Sequence, residues 1–210
     1  MSRCLVAGGT CSVTTPFHAK YWAQSLRLAR HNGVEAIARS IGNARVAAPA
    51  DEIVRQFDRP IDNKIDIRKM LFGGFKKCLY PTQKFDSDTE RRFTVVIEKD
   101  KAVIKWFKPG KGVFQIRYSN DADYEPDFVV ETESEKLICE PKGADRMQDP
   151  VVLAKARAAA TWCKHATEHE KANHGKPWRY LLIPHDAIAD NMTLDGLAKQ
   201  FTFTAPEGEK

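Results

Sequence analysis

The sequence predicts a mixed α/β fold, on three observations. The short β-prone runs FVVET and KLICEP flank the polar Glu133–Lys136, which is the layout of a β-hairpin. Upstream, Ser87 followed by Glu90 has the spacing of a capping box, and Phe93, Val96 and Ile97 recur on one helical face. Downstream, Asp149-Pro150 opens an alanine-rich helical run, and the continuous apolar run WRYLLIP follows it.

In chain order, Thr15 to about Ile41 reads as helical. Trp22, Leu26 and Leu28 recur near helical spacing with Tyr21 beside them, and Val34, Ile37 and Ile41 repeat the pattern after Gly33. RVAAPADEIV then forms an Ala/Pro-rich junction, where Asp51 is expected to cap a short helix, DEIVRQF, ahead of Pro60. Residues 1–60 thus read as a helical N-terminal arm and linker, and 61–210 as the main domain. From Ile67, MLFGGFKKCLYP is an apolar entry to that domain, and the capped helix follows.

AVIKWF and VFQIRY, joined by KPGKG, read as a second hairpin with Pro-Gly chemistry in its turn. Lys105, Lys108 and Lys111 cluster there around Trp106. Such a tip can hold a nucleic-acid backbone and stack a base, or it is a solvated turn with its aromatic packed inward. In the alanine-rich helix, Leu153, Ala156, Ala160 and Cys163 have core spacing, leaving Lys155 and Arg157 for a substrate groove or for solvent. WRYLLIP reads as a central strand covered on both faces. HDAI and TLDGLAKQF read as closing helices, with APEGEK a frayed tail.

The first hairpin carries the chemistry. With its centre on Glu133–Ser134, Asp127 falls opposite Glu140, and directly opposed residues share a face. Lys142 lies two residues beyond Glu140 and joins that face, while Leu137, Cys139 and Pro141 point toward a core. Two carboxylates held close either share a proton or recruit a cation. Hard oxygen ligands suit Mg²⁺, which can acidify a bound water and stabilise charge on a phosphoryl oxygen. A neighbouring lysine can orient that water or offset charge in the transition state.

Pro126-Asp127 followed by Glu140-Pro141-Lys142 resembles the PD-(D/E)XK motif of restriction-type nucleases. The wider stretch from GFKKCLYPTQKFDSDTERRF through YEPDFVVET and LICEPKGAD to KPWRYLLIPHDAI is similar to the nuclease domain at the C-terminus of type III restriction (Res-like) and DEAD/DEAH helicases. The resemblance spans roughly Ile67 to Asp190. It implies a restriction-endonuclease-like core of helix, mixed β-sheet with a central hairpin, helix and strand, carrying a helical N-terminal appendage. It also implies a metal-dependent DNA endonuclease using Mg²⁺ or Mn²⁺. Asp127, Glu140 and the Pro141 backbone carbonyl would bind the metal, Lys142 would position the attacking water, and Glu90 would assist. Arg91, Arg92, Lys105, Lys108, Lys111 and Lys155 are candidate DNA contacts. The implied partners are DNA, a separate helicase, translocase or methyltransferase subunit, and a second copy of the chain where both strands are cut. A catalytically silent DNA-binding or interaction module that keeps this fold is the alternative.

Two further motifs stand in the sequence. TPFHAKYWAQSLRLAR…ARSIGNARV resembles the opening of the large Snf-family helicases, yet no G-x-x-x-x-G-K-[ST] phosphate loop follows, so no ATPase or helicase activity is expected of this chain. His165, Glu168 and His169 match the H-x-x-E-H zinc-peptidase pattern on a helix. A third ligand is required, and His185 or Asp186 would have to supply it from no recognisable setting.

Composition agrees with this class. A chain of 210 residues has room for one domain and an appendage. A net charge of +5 and a pI near 8.9 are compatible with a polyanionic partner. Five cysteines without a close pair do not make a disulfide framework, which fits a reducing compartment. No signal peptide is read in MSRCLVAGGTCSVT, and no apolar run reaches membrane-spanning length, so a cytoplasmic protein is expected.

Overall fold

Alternation along the hairpin strands sets the layers of the molecule. The computed structural model describes residues 53–62 and 64–205. The stripes expected over Thr15–Ile41, the Asp51 cap and the tail from Pro206 onward lie outside the described residues. A small sheet comes first: β1 (Val54–Gln56) pairs parallel with β2 (Leu71–Gly73), which pairs antiparallel with β3 (Thr82–Gln83). The helix expected over DEIVRQF is therefore replaced, over Val54–Gln56, by a strand. Pairing with the buried β2 outweighs the weak helical preference of so short a segment. Phe57, just after β1, packs into the main core.

Helix α1 (Asp88–Lys99) starts where the capping pattern puts it, with Ser87 Oγ accepting from Glu90 N at 3.2 Å. The Glu90 side chain reaches one residue further back than a capping box requires and accepts from Asp86 N at 3.1 Å. Next come β4 (Val103–Phe107), the short pair β5 (Ile116–Arg117) and β6 (Asp123–Tyr124), then β7 (Phe128–Thr132) and β8 (Lys136–Lys142). Helix α2 (Pro150–Ala172), β9 (Trp178–Pro184) and α3 (Leu194–Phe201) complete the order. Asp149 caps α2, accepting from Val151 N and Val152 N, with Pro150 in the first turn.

The main sheet has the order β4-β7-β8-β9, antiparallel except for the parallel β8–β9 pair. Phe128, Val130, Leu137, Cys139, Leu181 and Ile183 face α1 and α3, meeting Phe93, Val96, Ile97, Leu194 and Leu197. Val129, Ile138, Tyr180 and Leu182 face α2, meeting Val152, Ala156, Ala159, Cys163 and Ala166. The class is α/β, with helices on both faces of a mixed sheet. The buried stripe of α2 is turned slightly from the expected one, since Leu153 and Ala160 are only half-buried. No helix among the described residues is long and apolar enough to cross a membrane.

Two pairings differ from expectation. AVIKWF does not form a hairpin with VFQIRY. β4 pairs with β7 (Phe107↔Val129, Trp106↔Val130), and β5 pairs with β6 across a separate short turn. β7 offers β4 an apolar partner buried on both faces, a larger gain than closing a local turn. Gly112 lies in this connection at φ 77°, a left-handed conformation that glycine adopts without steric penalty. β9 is covered on both faces as expected but stands at the end of the sheet rather than its centre. Its outer edge is partly covered by the chain after α3, through the Leu181–Thr202 bridge and Phe203 N donating to Tyr180 O at 3.0 Å.

A buried ion pair ties β8 to α2. Lys136 Nζ sits 2.8 Å from Glu170 Oε1 and over the Trp178 ring, and both side chains are almost wholly enclosed. Gly175 leaves room for the acid, because a Cβ there would fall 1.5 Å from Glu170 Oε2. Glu170→Ala is expected to destabilise the protein by about 3–5 kcal/mol in urea titration, since it strands a buried ammonium. The double change Lys136→Met/Glu170→Leu should recover most of that loss.

Candidate active site

Hairpin register brings the acidic groups together. Thr132 N donates to Glu135 O, and Thr132 Oγ1 accepts from Ser134 N and Glu135 N, so the turn centres on Glu133–Ser134. β7 and β8 then pair Phe128↔Cys139 through Glu131↔Lys136, the register that the spacing predicts. One step further out, Asp127 and Glu140 meet at the end of the sheet. Phe107 of β4 lies opposite Val129, so Lys108 reaches the same end. The first turn of α1 supplies Glu90 and, just before it, Asp86.

Within this cluster the contacts are short. Lys142 Nζ lies 2.6 Å from Glu140 Oε1 and 3.7 Å from Asp127 Oδ2. Tyr124 donates its hydroxyl to Glu140 Oε2 at 2.6 Å, and Asp127 N donates to the same oxygen at 3.3 Å. Lys108 Nζ lies 2.6 Å from Glu90 Oε2 and 2.9 Å from Asp86 Oδ2. A cleft of about 540 Å³ opens onto Asp127 and Lys108, with Lys84, Lys111 and Glu125 among its walls.

Electrostatics follow from this crowding. Burial, then the charge of Glu140, pushes the Asp127 carboxyl well above the usual aspartate range; Lys142 and Lys108 only partly oppose this. Burial works against the Lys142 ammonium, but Glu140 and Asp127 outweigh it and hold its pKa above the ordinary lysine value. The Lys108 ammonium is raised in the same way, with Glu90 and Asp127 overcoming its burial. Burial and the neighbouring Glu140 charge keep the Tyr124 hydroxyl protonated far beyond its normal range, so it remains a donor.

The remaining candidates are placed as follows. Glu90 lies in the cluster, but its carboxylate is held by Lys108 and Asp86 N. Pro141 is buried, opposite Ile183 of β9. Arg91, considered as a phosphate contact, is instead buried, with its guanidinium on Asp88 and the Phe57 carbonyl. Arg92 donates to the Ile188 carbonyl. Trp106 is fully enclosed and donates to Glu98 Oε1, so it offers no face for base stacking. Lys105 is half-buried on β4 opposite Glu131, Lys111 is exposed at the cleft wall, and Lys155 lies over the Tyr118 and Tyr124 rings.

Sequence reasoning missed Tyr124 and Asp86. Tyr124 stands three residues before Asp127, on a strand paired with β5 that no local pattern announces, and its hydroxyl reaches Glu140. Among the described residues no three His, Cys, Asp or Glu side chains gather at metal-ligand spacing. His165 lies 3.5 Å from Glu168 and His169 lies against Asn173, and among the described residues no third ligand joins the zinc-peptidase pattern. Asp127 and Glu140 are the two acids left facing each other. Their mutual repulsion and hard oxygen donors fit a divalent cation, with the Pro141 carbonyl adjacent in sequence. No family model matches the sequence, and no curated protein matches it.

The raised Asp127 pKa gives a signed prediction. A native carboxyl that holds its proton more tightly than the unfolded chain lends stability at low pH, and that stability fades as pH rises through its native pKa. Asp127→Asn should therefore melt at a higher temperature than wild type at neutral pH. The gap should close below the ordinary aspartate value of about 4. Thermal melts across that range check it.

Proposed function

We propose that the cluster at the ends of β7 and β8 is a divalent-cation-dependent phosphodiesterase centre, and that its substrate is DNA. The observation that carries this reading is the convergence of Asp127, Glu140 and Lys142 beside an open cleft, with the Asp127 carboxylate disfavoured by burial and then by its neighbour's charge. Such an arrangement is unfavourable on its own and favourable around a cation.

Mg²⁺ or Mn²⁺ would be held by Asp127, Glu140 and the Pro141 carbonyl. Bound there, it supplies charge stabilisation on a phosphoryl oxygen and a more acidic water. The chain's own groups do the rest. Tyr124 donates to Glu140 Oε2 and fixes that carboxylate's orientation. Lys142 keeps its charge at neutral pH and stands within reach of both acids, where it can orient a water for in-line attack. Lys111 in the cleft wall provides a positive charge for the polyanion.

A second reading, a DNA-binding or interaction module that does not cut, draws on a different observation. Lys142 sits on Glu140 and Lys108 sits on Glu90, so two carboxylates already have an ammonium partner. Plasmid nicking with Mg²⁺ or Mn²⁺ separates the two. Wild type should nick, whereas Asp127→Ala and Lys142→Ala should lose nicking by at least about a hundredfold, the scale of a lost transition-state contact. Circular dichroism should show both variants folded. Nicking that survives both changes sinks the assignment, and cation binding without nicking favours the silent module.

A further inference from the structure

Lys108 is the most enclosed cation of the cluster that is not placed by the hairpin. It follows β4 directly, so the β4–β7 register anchors it beside the first turn of α1. Its ammonium contacts Glu90 Oε2 at 2.6 Å and Asp86 Oδ2 at 2.9 Å, and it lies 5.9 Å from the centre of the Phe128 ring. The Lys108 side chain is 15% exposed and that of Glu90 only 8%. The same Glu90 oxygen also accepts from Asp86 N. Lys108 is thus held by two acids at hydrogen-bond distance, whereas Lys142, whose side chain is 27% exposed, has only Glu140 that close.

The two halves of the cluster are therefore unlike. On the hairpin side, Asp127 has Lys142 no nearer than 3.7 Å and lies against Glu140, which accepts from its backbone N. On the helix side, Glu90 and Asp86 share an ammonium delivered by the fold itself. We propose that Lys108 is a tethered cation filling the Glu90 side of the site, so that the centre takes a single divalent ion, on Asp127 and Glu140. This rests on the cation-centre reading above. A lysine suits the role because it is a compact point charge on a long stem, with three donors to share between two acids. Glu90 then positions Lys108 and does not bind the ion.

The test counts Mn²⁺ ions on the full chain, by calorimetric titration and by electron paramagnetic resonance, in which two neighbouring ions broaden each other's signal. Wild type should bind one ion per chain. Lys108→Met keeps the apolar stem over Phe128 but leaves Glu90 and Asp86 without their cation, and it should bind two, with dipolar broadening. Glu90→Gln should still bind one ion, whereas Asp127→Asn should bind none. Two ions in wild type, one ion in Lys108→Met, or loss of the ion in Glu90→Gln each overturns the proposal. If Lys108→Met does not fold, the wild-type count and Glu90→Gln decide it. No ion on wild type brings down the cation-centre reading and this inference with it, whereas one ion on both wild type and Lys108→Met brings down this inference alone.

Discussion

β8 is enclosed on both faces, yet it carries Lys136, Glu140 and Lys142, and their need for partners shapes what surrounds the strand. An unpaired charge in such a setting is strongly destabilising, so each charge must meet a counter-charge or a hydrogen-bond donor. At the beginning of the strand Lys136 meets Glu170, near the end of α2, and Gly175 makes room for that acid. At its other end Glu140 meets Lys142 and Tyr124. The strand is thus secured at one end by a closed ion pair. At the other it ends in a cluster open to a cleft.

That open end is acidic in excess. Asp86, Glu90, Asp127 and Glu140 surround two ammoniums, Lys108 and Lys142. By contrast with the Lys136–Glu170 pair at the far end of β8, where one acid meets one ammonium, the acids here outnumber the ammoniums. Here the imbalance falls on Asp127, whose carboxyl is driven toward its protonated form by burial and by Glu140. Functional sites store unfavourable electrostatics of this kind because a substrate, cation or transition state then relieves them. The Lys136–Glu170 pair, at the opposite end of β8, matches one buried acid with one buried ammonium and reads as structural.

Several features were legible in the residues. The hairpin register followed from a polar turn between two apolar runs, and with it the meeting of Asp127 and Glu140. The capped start of α1 and the Asp-Pro start of α2 followed from side chains that satisfy free backbone donors a few residues away. Each of these is settled within a short local stretch of sequence. The failures involve longer reach. KPGKG looks like a hairpin turn, but β4 finds its partner in β7, past the intervening β5–β6 pair. WRYLLIP is apolar enough for a central strand, yet its second edge meets only the chain after α3. Arg91 looked like a surface charge, but Asp88 and the Phe57 carbonyl draw it inward.

By itself the sequence determined the α/β class, the starts of α1 and α2 and the face on which Asp127, Glu140 and Lys142 stand. All three depend on periodicity and on contacts between near neighbours. Only the tertiary structure decided that Glu90 and Asp86 hold Lys108, that Tyr124 orients Glu140, and that Trp106 is unavailable to a ligand. Those outcomes depend on which strands pair across the sheet. That choice is made by the apolar area buried over the whole domain, which no local stretch of residues encodes.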